Sequence, residues 1–170
     1  MAPFLVRQLR FARAEFLRCL EGVDNEEGRQ QIGQMNSISW IVGHLANHEH
    51  FLWVVAAQDK VIFPELHEVY GYGKPASSPP LDEMLDVLRQ VSNYADEYLD
   101  TLNDRLLGEF LNFNEKQFRE NIGTTLMRNT YHIWFHLGEV HAIRQQLGHQ
   151  PPDFVGRFGE AEFKQEDLSI

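Results

Sequence analysis

A chain of 170 residues with 43% apolar and 24% charged side chains is long enough to bury a substantial core and too apolar to stay disordered. Fifteen basic against 25 acidic residues leave a net charge of −10, which argues against nucleic acid or an anionic membrane surface as partner, since both reward a basic face. The lone Cys19 excludes an internal disulfide and fits a cytoplasmic setting, and no apolar run is long enough to span a bilayer.

Residues 1–16 are basic and amphipathic, as a transit peptide would be, but Glu15, Glu21 and an unbroken helical period favour a structural helix. Leu5, Leu9, Ala12, Phe16 and Leu20 recur at three- and four-residue steps, with Pro3 in the first turn and Gly22 near the end. This predicts a helix over 3–22, with Cys19 beside its stripe as a small core residue. Asp24 to Gly33 reads as polar connection.

Asn36 or Ser37 offers an N-cap for a second helix over 36–58. At 100° per residue, Ser37, Trp40, Ile41, His48, Phe51 and Val55 fall within roughly 60° of His44, whereas His50 points away. Gly43, beside His44, lets a neighbouring element approach closely. Residues 59–80 form a long crossover with several prolines and glycines and no helical period. Such connections are often functional, and Tyr70, Tyr72 and His67 either line a pocket mouth or cap one end of a bundle.

Ser78-Pro79-Pro80 followed by Asp82 and Glu83 starts a third helix over 80–103. Residues 104–120 are ambiguous: FLNFN alternates, yet too briefly to predict a sheet. Thr124 or Thr125 is placed as the cap of a fourth helix over 124–147, ended by Gly148 and Pro151-Pro152. The tail 148–170 is expected to pack partly along the bundle and to fray at its end. The expectation is one all-α domain over 1–170, a four-helix bundle with a long crossover between its second and third helices, which can then run parallel.

Within that bundle His132 and His136 lie one turn apart on the fourth helix, with Glu139 on the same face and His141 opposite. His44 and His48 face inward from the second helix, while His50, His141 and His149 are assigned to solvent. Neutral imidazoles in a dry core need a partner for each nitrogen. Two readings remain open on spacing alone: hydrogen-bonded core histidines, or a metal site built from facing helices.

The segments SISWIVGHLA (residues 37–46) and YHIWFHLGE (residues 131–139) resemble the DinB-like superfamily, which includes YfiT-like proteins and mycothiol-dependent maleylpyruvate isomerase. That family carries one His on the second helix, often as Gly-His-Leu, and His-x-x-x-His on the fourth, commonly followed by x-Gly-Gln; here Glu139 stands where the Gln is usual. The resemblance implies a divalent metal on His44, His132 and His136; His48 has no counterpart in the pattern and is read from its inward place as a pocket wall or possible additional ligand. It implies Glu139 as an orienting group or base, a homodimer, and a low-molecular-weight thiol transferred to or from a small-molecule electrophile, with hydrolysis as the other reaction. Zinc is the first expectation, with nickel, iron or manganese also compatible with imidazole ligands. The competing class is a non-catalytic module, binding a small ligand or a partner, in which the histidines are structural.

Overall fold

The computed structural model describes residues 2–153 and 155–168. Helix α1 runs Phe4–Cys19 and stops earlier than its apolar period suggests, because the chain turns at Leu20 and enters the left-handed region at Gly22. The polar connection that follows holds a one-turn helix, α2, Asn25–Arg29, closed by a reciprocal cap between Asp24 and Glu27. Ser37 caps α3, Ile38–Glu49, accepting from the Trp40 amide at 3.2 Å.

The sequence period predicts that this helix continues unchanged to residue 58. Instead the backbone widens into a π-helical segment over His50–Ala56. The change of phase and the cover given by the crossover go with two departures from the expected faces. Phe51, placed inward by the α-helical wheel, is exposed on the helix, meets Phe113 edge-on and stacks with Phe118. His50, placed in solvent, is buried, and its Nε2 accepts from the Ile62 amide at 3.2 Å.

The crossover is also more regular than its composition suggests, since it contains a short helix α4, Leu66–Tyr70. It delivers the chain to α5, Leu81–Leu99. An antiparallel hairpin follows, β1 Phe110–Phe113 and β2 Lys116–Asn121, with Phe113 opposite Lys116. Its turn residues Asn114 and Glu115 both have positive φ, the type I′ pattern, without the glycine that usually announces it. Asn121, not Thr124 or Thr125, caps the last long helix: its Oδ1 accepts from the Thr124 amide, and α6 runs Ile122–Gln146.

Contacts between the four long helices give their directions. Gly43 meets Met84, Glu49 bonds Ser92 and Trp53 stacks near Tyr98, so α3 and α5 run parallel, as the long crossover allows. Leu5 lies against Gly123 and Arg144 bonds the Cys19 carbonyl, so α1 and α6 run parallel to each other. His48–His132 and Trp53–Asn129 contacts run in opposite senses, so α3 is antiparallel to α6.

The core between them is mainly apolar and holds a buried ion pair. Glu49, buried at the end of α3, meets the Arg13 guanidinium of α1 and accepts from the Ser92 hydroxyl of α5 at 2.9 Å; burial pushes its carboxyl above the ordinary range. Cys19 is buried as expected, and burial pushes its thiol up to about 11.

The described part of the tail packs along α1. Arg7 pairs with Asp167 at 2.6 Å, Phe11 stacks on Phe158 and Phe4 meets Phe163 edge-on. Residue 154 and the expected frayed end, 169–170, lie outside the described residues. Among the described residues no helix is long and apolar enough to cross a membrane.

Candidate metal centre

His44, His132 and His136 come together where α3 faces α6, with one ring nitrogen of each within 4.8 Å of the others. His132 Nε2 stands 3.2 Å from His44 Nε2 and 3.1 Å from His136 Nε2. The glycine of the Gly-His pair supports this geometry directly. A Cβ at Gly43 would lie 2.9 Å from the Tyr70 ring and 3.0 Å from Met84 Sδ, so only glycine lets α4 settle there. Tyr70 thereby brings its backbone carbonyl to 2.8 Å from His44 Nδ1. On the other helix, Glu139 Oε2 lies 2.9 Å from His136 Nδ1, one turn along the same face.

These two partners determine where the protons are. A carbonyl and a carboxylate only accept, so Nδ1 of His44 and of His136 each carry a proton. In a neutral imidazole the other nitrogen is then a bare lone pair, and both bare Nε2 atoms face His132 Nε2. His132 cannot satisfy the arrangement alone. A proton on its Nε2 leaves Nδ1, which is buried without a hydrogen-bond partner, as an orphan acceptor; a proton on Nδ1 leaves three lone pairs face to face. A cation at the convergence of three Nε2 atoms removes the clash of facing lone pairs, with the His132 proton on Nδ1. Zinc–nitrogen bonds of 2.0–2.1 Å in a tetrahedral arrangement place ligand nitrogens roughly 3.3 Å apart, close to both short separations seen here. The donor set fits a borderline divalent ion.

Electrostatics points the same way. Desolvation, reinforced by neighbouring imidazoles, pushes His132 down to about 3, and desolvation followed by His44, His136 and Arg128 pushes His48 down to about 4. His44 is also lowered, mainly by burial. Burial thus favours the neutral form of His44, His48 and His132, and neutral imidazole is the form that coordinates metals.

A cavity of about 630 Å³ opens onto the cluster, lined by His44, His48 and His132 together with Thr124, Met127, Arg128, Tyr131 and Tyr72. His136 lies behind, buried. Arg128 is held by both carboxylate oxygens of Glu120. Of the crossover aromatics, Tyr72 reaches the cavity, Tyr70 is buried and acts through its carbonyl, and His67 is exposed and not among the cavity-lining residues.

His48 lines the cavity but does not join the three-nitrogen cluster; its Nδ1 is 3.4 Å from the Asn129 side-chain nitrogen. His141 is half-buried and away from the cluster. His149, expected in solvent, is instead bonded between Glu27 and Arg144, where it ties the start of the tail to α2. Asn129 and Trp53 were not singled out by the sequence reading. The signal available for Asn129 was its position three residues before His132, a polar residue on an apolar helix face.

A sequence profile of the DinB superfamily matches residues 8–140, well over half of the chain. The chain belongs to the DinB superfamily. A DinB-like protein from Bacillus cereus ATCC 10987 has a similar crystal structure, with a TM-score of 0.64 over 89% of this chain and 95% of that one at 15% identity, so the likeness is one of fold. A search of curated proteins finds no match. Within a DinB-superfamily chain the departure at Glu139 has a plain physical reading: a carboxylate accepts from His136 Nδ1 as an amide oxygen does, and adds charge.

Proposed function

We propose that this DinB-superfamily protein is a divalent-metal-dependent enzyme, with His44, His132 and His136 as ligands and zinc as the first candidate. The observation that carries the reading is the pair of fixed tautomers: two bare Nε2 lone pairs aimed at a third imidazole whose remaining nitrogen has no partner. Three imidazoles leave a coordination position free, the arrangement of catalytic rather than structural sites. When bound there, a divalent ion supplies an electrophilic centre that stabilises a thiolate or an ionised water.

The protein's own residues define the rest. The Tyr70 carbonyl and Glu139 orient two rings and raise their basicity. Met127 and Tyr131 give the cavity an apolar wall suited to a small organic substrate. The reaction favoured is transfer of a low-molecular-weight thiol to or from a small electrophile, with hydrolysis second. Glu139 acts as the orienting group, because its Oε2 is committed to His136.

We extend the proposal to a cytoplasmic homodimer; Tyr131 and Phe135, exposed at successive turns of α6 beside the cavity, support an additional partner surface. Sedimentation of the purified protein tests that part.

Metal content tests the central claim. Untagged protein is expected to hold close to one divalent ion per chain, and His132→Ala or His136→Ala to hold almost none. Metal-free native protein whose stability ignores those substitutions would overturn it. A thiol and a model electrophile, assayed with and without chelator, separate S-transfer from a non-catalytic module.

A further inference from the structure

Asn129 is a buried polar side chain on α6 with no part in the three-histidine cluster, and its surroundings give it one. Its Oδ1 accepts the Trp53 indole N–H at 2.6 Å, and both side chains are buried. An indole nitrogen only donates, so the amide orientation is settled: oxygen toward Trp53, nitrogen toward His48. An amide NH₂ in turn only donates, so His48 Nδ1 is the acceptor at 3.4 Å. The neutral His48 ring then carries its proton on Nε2.

The contrast with the ligand histidines is chemical. Acceptors stand behind His44 and His136 and leave Nε2 bare; a donor stands behind His48 and leaves Nε2 protonated. One nitrogen of His48 is occupied and the other bears hydrogen, so neither is offered to a cation. Yet His48 lines the same cavity, with its ring centre 4.4 Å from that of His132.

We propose that Trp53 and Asn129 are positioning residues that fix His48 as the hydrogen-bond donor of the cavity, aimed at an electron-rich sulfur or oxygen bound beside the three-histidine cluster, and not as a fourth ligand. This rests on the metal-site reading above. The donor favours an anionic atom over a neutral one, because hydrogen bonds to charged acceptors are the stronger class. It gives the site a second contact to a thiolate or ionised oxygen that the ligand imidazoles cannot make.

The test begins with metal-free wild-type protein and long-range proton–nitrogen NMR of its imidazoles. His48 is expected in the Nε2–H form, and an Nδ1–H ring would overturn the proposal. Asn129→Asp keeps the acceptor for Trp53 but replaces the donor facing His48 by an acceptor, so it is expected to reverse the His48 tautomer; an unchanged tautomer in folded N129D refutes the relay. In cobalt-loaded protein, with mercaptoethanol as the probe, His48→Phe should retain the ion and weaken thiol binding about tenfold, the worth of one hydrogen bond. His48→Gln, which keeps a donor, should recover part of that affinity. Loss of the ion in H48F would make His48 a ligand and sink the proposal, as would thiol binding equal to wild type. A wild-type protein that binds no ion while showing the Nε2–H tautomer would refute the metal site and leave the Trp53–Asn129 relay standing.

Discussion

Mild acid should destabilise the metal-free protein through its histidines, and the sign and size follow from the cluster. His132 titrates near 3 and His48 near 4 in the fold, against an ordinary value of 6.5, because burial and mutual proximity disfavour their charged forms. Both folded values lie below the unfolded one. As pH falls through 6.5 the unfolded chain takes up protons that the native state refuses, and stability drops until the folded values are reached. Between about pH 7 and about pH 5.5 each fully shifted ring costs roughly 1.2 kcal/mol by this linkage. Discounting His132 for its partial exposure leaves about 2 kcal/mol for the two. With a urea slope of about 2 kcal/mol per molar, the unfolding midpoint should fall by roughly 1 M. Equilibrium urea unfolding in excess chelator at the two pH values measures it, in a window above most carboxylate titrations. The control is His48→Gln/His132→Gln, which should lose the part due to these two rings and keep that of His44, His50 and His141, which burial also lowers. A double variant with the full wild-type slope would show that the cost arises elsewhere.

Other perturbations test the supports of the site. Gly43→Ala drives a methyl into the Tyr70 ring and Met84, so it should cost about 1–3 kcal/mol in thermal unfolding and weaken zinc binding by shifting the Tyr70 carbonyl. Glu139→Gln preserves an acceptor for His136 and should retain the ion, whereas Glu139→Ala should lose about 10–100-fold in metal affinity, read by competition with a chromophoric chelator. Arg13→Met strands the buried Glu49 carboxylate and should cost about 3–5 kcal/mol, while Arg13→Met/Glu49→Leu should recover most of it in calorimetry.

The long helices were legible because each carries an apolar stripe at helical spacing, and the histidine pair on α6 was legible because i and i+4 share a face. His44 was found by the same wheel, which held along α3 as far as Glu49. Beyond Glu49 it failed: a widened backbone has no compositional signature, so Phe51 was placed on the wrong side, and the crossover at Ile62 and Phe63 that buries His50 is invisible to a helical wheel. The alternation of FLNFN was too short to predict the hairpin without a glycine at Asn114-Glu115, and the α6 cap was put three or four residues late because Thr124 and Thr125 resemble a cap as well as Asn121 does. The Tyr70 contact could not be read at all, since it is made by a backbone carbonyl on a crossover whose docking depends on tertiary packing against Gly43.

The π-helical segment has a consequence for how the site can change in evolution. His48 and Trp53 are five residues apart, and on an α-helix that offset separates them by about 140°. A ladder that spans five residues returns the second nearly above the first, which is how both side chains reach the one amide of Asn129. The segment behaves as a helix with one residue to spare. Deleting a residue between His50 and Leu52 would leave the three clustered histidines in their register and close the wide turn, placing Trp53 four residues after His48 and still on the face toward α6. An extra residue in this turn, or its loss, is therefore tolerated with the Trp53–Asn129 contact in place, and the same contact is undone by inserting a residue into a helix that has none to spare.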